Sequence, residues 1–173
     1  MNKMDAESKQ YEVLYRVAKI LNDNKIDYQI SSSGAGKFYG LSRKPGDIDI
    51  DIFAKDVEAV LSLFGTFVTV PLSRCTDDFY DIDVIECLID GEMVEFIIMD
   101  NGFYISHLTG ERMECARFFT PVKKKLKDIE VKVQSIESII GYKQHNLNKE
   151  KAANQAEDVR ELKEILEKMK ENT

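Results

Sequence analysis

The sequence has no stretch of roughly 18 to 20 consecutive apolar residues, the length a membrane-spanning helix needs, which excludes a transmembrane helix. Its opening residues, MNKMDAESKQ, carry no apolar signal-peptide core, so a cytoplasmic protein is expected. Cysteine is scarce. Cys75, Cys87 and Cys115 are odd in number and show no C-x-x-C spacing, which argues against a disulfide framework or a zinc site and for reduced thiols. Basic excess is also missing: 24 Lys and Arg stand against 31 Asp and Glu, a net charge of −7. A surface that coats DNA or RNA needs clustered positive charge, so that class is disfavoured, although a local basic groove is not. There is no internal repeat and no low-complexity linker.

What is present suits one compact unit. The chain has 173 residues, 43% of them hydrophobic, enough to bury a core. Tyr11, Leu14, Tyr15, Ala18 and Leu21 recur at helical spacing and predict a helix over 5–22, stopped by Asn22-Asp23-Asn24. Ile26, Tyr28 and Ile30 alternate as a short strand. A helix is expected to begin over Ala35–Tyr39. Val57, Val60, Leu61 and Phe64 make one apolar helix face, with Asp56 placed as its N-cap. Thr66–Val70 reads as a strand. Asp81–Ile89 and Glu92–Met99 read as a hairpin about Asp90-Gly91, and Asn101-Gly102 as a further turn. Residues 103–128 give no clear pattern, and PVKKKLKD reads as an exposed basic stretch. Val131 and Val133 suggest a last short strand. Ser135 caps a helix carrying Ile136, Ile139, Ile140 and Leu147. A second helix from near Asn148 carries the stripe Ala152, Ala156, Val159, Leu162, Leu166 and Met169. The expected architecture is a mixed α/β (α+β) core over 1–134, with a helical pair over 135–173 packed on it.

The segment GKFYGLSRKPGDIDIDIF carries the chemistry. In a strand, residues two apart share a face. Asp47, Asp49 and Asp51 therefore point one way, and Ile48, Ile50 and Ile52 point into the core. A half-solvated strand shows the same alternation, and Asp81-Ile82-Asp83 repeats it as plain strand surface. What singles out the first copy is its setting. Carboxylates about 7 Å apart along a strand repel each other in an empty site, and a hard divalent cation such as Mg²⁺ reverses that interaction. Small residues just upstream allow close approach of backbone N–H groups, and Arg43 and Lys44 add charge suited to phosphate. Acids, metal and phosphate contacts together describe phosphoryl or nucleotidyl transfer. A third acid is expected from an adjacent strand. Glu95, between Val94 and Phe96 in GEMVEFII, is the candidate, whereas Glu92 lies near the turn. Lys143 shares the stripe of Ile136, Ile139 and Ile140, either snorkelling to the surface or facing the cleft. His107 and His145 are single and unlike a metal pair.

With these residues in line, SSGAGKFYGLSRKPGDIDI, the later MVEFI and the tail SIESIIGYKQHNLNKEKAANQAEDVRELKEIL resemble the nucleotidyltransferase superfamily that includes DNA polymerase beta. The closest likeness is to its small bacterial and archaeal members, antibiotic-modifying and toxin-type enzymes among them. The signature is a Gly-Gly or Gly-Ser pair at a helix start, a spacer, Asp-x-Asp between apolar residues, and a later acid in a strand. The resemblance covers about residues 26–100 by motif and 131–168 more loosely. It departs at the glycine pair, where Ser32-Ser33 or Ser33-Gly34 stands, and serine restricts the backbone more than glycine.

The resemblance implies a short mixed sheet with flanking helices and transfer of a nucleoside monophosphate from an NTP to a hydroxyl or phosphate acceptor. Asp47, Asp49 and Glu95 would hold two Mg²⁺ ions and act catalytically, with Asp51 outside that set. Ser32, Ser33, Gly34, Arg43, Lys143 and Asp158 would contact the nucleotide. A small-molecule acceptor is expected over an RNA end, for which KKKLK at 123–127 would be the local contact. Homodimerisation is left open. The alternative is a weak or inactive member kept as a nucleotide- or partner-binding module, motivated by the altered glycine pair.

Overall fold

The computed structural model describes residues 9–146 and 152–172. Helix α1 (Lys9–Asp23) opens it and buries Val13, Leu14, Val17, Ala18 and Leu21, the face its periodicity predicts. Residues 5–8 of the predicted helix lie outside the described residues, as do Leu147 and Asn148 of the tail. Strand β1 (Tyr28–Ile30) follows, then helix α2 (Ser32–Lys37), which starts three residues earlier than expected. Gly40, at φ +108°, ends it: the N–H groups of Gly40 and Leu41 both return to the carbonyl of Gly36. A left-handed residue after a helix is the usual place for glycine.

Strand β2 (Ile48–Ile52) is the centre of the sheet, with Asp47 just before it. A 3₁₀ turn, Ala54–Asp56, leads into α3 (Val57–Phe64). Asp56 does not cap α3 with its side chain. The carboxylate of Asp100, from a neighbouring strand, accepts the N–H of Ala54 at the head of the preceding turn. Strand β3 (Val68–Thr76) begins after another 3₁₀ turn and runs further than its β-branched start suggests. Strands β4 (Tyr80–Ile89) and β5 (Glu92–Ile105) form the predicted hairpin, with Asp90 at φ +53° and Gly91 at φ +84°, both left-handed as a type I′ turn requires.

Asn101-Gly102 is not a turn. Strand β5 continues through it, and Asn101 sits at φ +54° where the β4–β5 register shifts between Asp81 and Asp83, so the pair makes a bulge. Residues 103–128, patternless in sequence, hold the end of β5, the strand β6 (Arg112–Glu114), a 3₁₀ turn at Cys115–Phe118 and the strand β7 (Pro121–Leu126). Strand β8 (Ile129–Gln134) and helices α4 (Ile136–His145) and α5 (Ala152–Glu171) complete the chain. Ser135 caps α4 by accepting the N–H of Ser138.

The eight strands form one mixed sheet in the order β3-β4-β5-β2-β1-β8-β7, with β6 paired to β5. The sheet is larger than the alternating segments alone suggest. Pairs β2–β5 and β1–β8 are parallel, and the others are antiparallel. Ile48, Ile50 and Ile52 and their partners Val94, Phe96 and Ile98 are buried in the main core. There Phe64 of α3 packs on Phe96 with ring centroids 5.1 Å apart. The opposite face of the same strands carries the acids. Val159 and Leu162 of α5 join Ile136 and Ile139 of α4 in the same buried cluster. Ala156 and Met169 are exposed, and Gln155 and Asp158 are buried in their place. The buried stripe of α5 is therefore partly polar, which an apolar pattern does not reveal. Among the described residues no helix is long and apolar enough to cross a membrane.

Candidate active site

Parallel pairing of β2 with β5 sets Asp49 directly opposite Glu95. In-register residues of neighbouring strands share a face, so the two carboxylates meet on the side away from the isoleucines. Asp47, at the entry to β2, completes the group. One ligand oxygen from each of Asp47, Asp49 and Glu95 lies within 4.8 Å of the others, and all three residues are half-buried. The acid that sequence selected more than forty residues downstream thus arrives at the aspartate pair. No ion pair joins Asp47 or Asp49 to a cation among the described residues. Burial, then the charges of Asp47, Glu95 and Asp51, hold the Asp49 carboxyl well above its usual range, with Lys143 opposing. A cluster of three hard carboxylate oxygen donors this close together fits a divalent cation of the Mg²⁺ type.

Asp51 shares the face but not the cluster. It is 1% exposed, accepting from the Gln29 amide at 2.7 Å and the Ser31 hydroxyl at 2.8 Å. Burial pushes its pKa up to about 7 against those two hydrogen bonds. Gln29 also donates to the Phe118 carbonyl and accepts the Thr120 N–H, tying β2 to the segment before β7.

The serines upstream are placed by the same network. Ser31 precedes α2, its hydroxyl committed to Asp51 rather than to capping. Ser32 sits at φ +56°, a left-handed conformation natural to glycine. Ser32-Ser33, rather than Ser33-Gly34, therefore stands in the backbone position of a glycine-led pair. The Ser32 N–H donates to the Gln134 amide oxygen and is not left for a ligand. Ser33 accepts from the Lys143 ammonium at 3.1 Å.

Lys143 does not snorkel. It is 4% exposed and pairs with Asp158 at 3.0 Å. Asp158 is 2% exposed, and its other oxygen accepts from the Arg43 Nε at 2.6 Å. Arg43 further reaches the Asn154 carbonyl and Glu157. Ser33, Arg43, Lys143 and Asp158 thus gather in a cleft of about 720 Å³ that also holds the three acids.

Part of the cleft lining was not legible in sequence. Glu86 of β4 is the cross-strand partner of Glu95, extending the row Asp49–Glu95–Glu86 across three strands. Its setting between Ile85 and Cys87 repeats the pattern that singled out Glu95. Tyr80 and Tyr142 also line the cleft, with hydroxyls 3.3 Å apart, and Tyr142 packs on Tyr104 with centroids 4.7 Å apart. Burial raises the pKa of all three tyrosines, so they stand as neutral phenols. Nothing in the sequence marked them. Asp81 and Asp83 are strand surface, paired with Arg74 and, for Asp81, Arg112. His107 packs against Phe79, and His145 contacts the Tyr104 carbonyl, away from any metal cluster.

No family model and no curated protein matches the sequence. Solved structures do match. A Thermotoga maritima protein described as a nucleotidyltransferase superposes with a TM-score of 0.63 at 18% identity, over 87% of this chain and 89% of that one. The lincosamide antibiotic adenylyltransferase LnuA, bound to lincomycin, gives 0.59 at 15% identity over 91% and 98%. ANT(2")-Ia, in complex with adenylyl-2"-tobramycin, gives 0.61 at 14% identity over 90% and 88%. The chain has the nucleotidyltransferase fold.

Proposed function

We propose that the protein is a metal-dependent nucleotidyltransferase that moves a nucleoside monophosphate from an NTP to a hydroxyl of a small molecule. The observation that carries this reading is the convergence of Asp47, Asp49 and Glu95 within 4.8 Å at an open cleft. Asp47 and Asp49 would hold two Mg²⁺ ions, with Glu95 sharing one of them. Bound there, the metal supplies charge neutralisation at the phosphates and a lower pKa for an oxygen that coordinates it.

The remaining work falls to the chain's own groups. Lys143, Arg43 and the Ser33 hydroxyl receive the triphosphate, which orients the α-phosphorus toward the acids. Tyr80, Tyr142 and Tyr104, which line the same cleft, offer aromatic faces and phenol hydroxyls to the acceptor. The acceptor oxygen bonds to the α-phosphorus as the bond to pyrophosphate breaks, and the Glu95 carboxylate takes up the hydroxyl proton. A small acceptor suits a walled cleft of this size, and two of the structural neighbours act on antibiotics. The basic strand β7 lies at the sheet edge opposite β3 and β4. Its Lys123 pairs with Glu130, and Lys124 sits over the Tyr39 ring, so these lysines serve the edge itself.

Ser32 bears on the non-catalytic alternative. The serine adopts the left-handed backbone that the altered pair called into question, so that departure leaves the local path intact. The test is transfer of label from α-labelled NTPs to a panel of hydroxyl compounds and to tRNA, with Mg²⁺. Labelled small-molecule product, lost in Glu95→Gln, supports the proposal. Label on tRNA alone moves the acceptor to RNA, and no transfer to any acceptor leaves the binding-module reading in its place.

A further inference from the structure

Four residues at helical spacing on α5, Asn154, Glu157, Asp158 and Glu161, all reach the loop between α2 and β2. The Asn154 carbonyl and the Glu157 and Asp158 carboxylates accept from Arg43. Glu161 accepts both the N–H of Ser42, at 2.9 Å, and its hydroxyl, at 2.8 Å. Positions i, i+3, i+4 and i+7 form one helix face, so a whole face of α5 is given to the segment that leads into Asp47. Of these contacts, only that of Asp158 is doubly cationic and buried. One oxygen takes Arg43 and the other takes Lys143.

The donor count shows what this leaves over. An ammonium has three N–H donors and a guanidinium five. Among the described residues, Lys143 uses one on Asp158 and one on Ser33, leaving one. Arg43 uses Nε and Nη2, leaving the two Nη1 donors. Both residues line the cleft. The trio of two cations and one carboxylate keeps a charge of +1.

We propose that Asp158 is a positioning residue, which fixes the direction of Arg43 and Lys143 so that their remaining donors face the triphosphate, with Glu161 holding the loop that carries Arg43. This rests on the nucleotide-binding reading above. An asparagine at 158 has one acceptor and presents an N–H₂ to whichever cation loses its oxygen, a donor facing a donor. Lys143, almost fully buried, is then left without its counter-charge. Misdirecting one charge-assisted hydrogen bond to the triphosphate weakens binding by about tenfold or more.

The experiment is calorimetry of the full chain with Mg²⁺ and a non-hydrolysable ATP analogue, on wild type, Asp158→Asn, Lys143→Met, the double variant and Glu161→Ala. Asp158→Asn is expected to bind about tenfold more weakly or worse, and to cost less in the Lys143→Met background than in wild type, since part of its effect runs through that lysine and the rest through Arg43. Steady-state kinetics should show a larger rise in KM for the nucleotide than fall in kcat. Glu161→Ala, a change at a half-buried residue outside the apolar core, should weaken binding in the same direction. Equal or tighter binding by Asp158→Asn, which would make the carboxylate a bystander or a competitor of phosphate, overturns the proposal, as does full additivity with Lys143→Met. Hydrogen exchange of residues 41–46 separates this from the underlying reading. Faster exchange there in Asp158→Asn and Glu161→Ala supports the positioning role even if wild type binds no nucleotide, a result that removes the nucleotide reading alone. Unchanged exchange removes the positioning role.

Discussion

Asp49→Asn is expected to stabilise the metal-free protein while removing its response to metal. Asp49 shares a cluster with two other carboxylates within 4.8 Å. At that distance two unit charges repel by about 3.5 kcal/mol at an effective dielectric of about 20. The group escapes the full cost by taking up a proton. From an ordinary value of 3.8, remaining protonated at pH 7 costs at most about 4 kcal/mol, at roughly 1.4 kcal/mol per pH unit. The expected gain from the neutral amide is therefore about 2 kcal/mol, bounded by about 4. For a chain of this size that raises Tm by about 4–8 °C. The sign follows from the raised folded pKa. The folded state binds the proton more tightly than the unfolded chain, so the wild type loses stability as pH rises above the unfolded value. The gap between variant and wild type should therefore close near pH 4 and widen toward neutrality. Thermal unfolding followed by circular dichroism, in chelator, across pH 4 to 8, measures it. Adding Mg²⁺ should reverse the order, because ligand at a hundredfold excess over its Kd contributes about 2.7 kcal/mol to the wild type alone. A variant that is less stable than wild type in chelator at neutral pH would refute the reasoning, since the acids would then be held by something other than an absent cation.

Two further outcomes follow from the same residues. Ser32→Gly should raise stability by about 0.5–1 kcal/mol in urea unfolding, because a left-handed serine costs about 1–2 kcal/mol and glycine returns part of that as unfolded-state entropy; a clear loss of stability would mean that the Ser32 side chain holds the turn. Asp51→Asn should flatten the pH profile of stability. With a folded pKa of about 7 against an ordinary 3.8, the wild type is most stable below the lower value and declines up to the higher one, by as much as about 4 kcal/mol. Parallel urea-derived profiles for the two proteins between pH 4 and 8 would show that Asp51 is not the titrating group.

The parts of this architecture that were legible are those where local chemistry and tertiary setting agree. The β2 alternation places isoleucines in the core and Asp49 in the cleft, Asp90-Gly91 turns as its residue types require, and Ser135 caps α4. Glu95 was found because an acid between Val94 and Phe96 needs a reason. Glu86, with the same flanks, was passed over because strand order, not local pattern, sets it beside Glu95. Asn101-Gly102 misled because the same residues make turns and bulges, and only the partner strand decides between them. The buried polar stripe of α5 was hidden for a related reason. Asp158 is inside because Arg43, 115 positions away, and Lys143 come to meet it, and periodicity counts it as surface. The tyrosines of the cleft come from β4, β5 and α4 and share no motif.

The central claim is that Asp47, Asp49 and Glu95 form one divalent-metal site serving a nucleoside triphosphate. Isothermal titration of the wild type with a non-hydrolysable NTP, with Mg²⁺ and then with chelator, tests it most directly. The account predicts binding that requires Mg²⁺ and vanishes in Asp49→Asn, a variant that remains folded. Nucleotide binding of equal strength in chelator, or binding that survives Asp49→Asn, would contradict it.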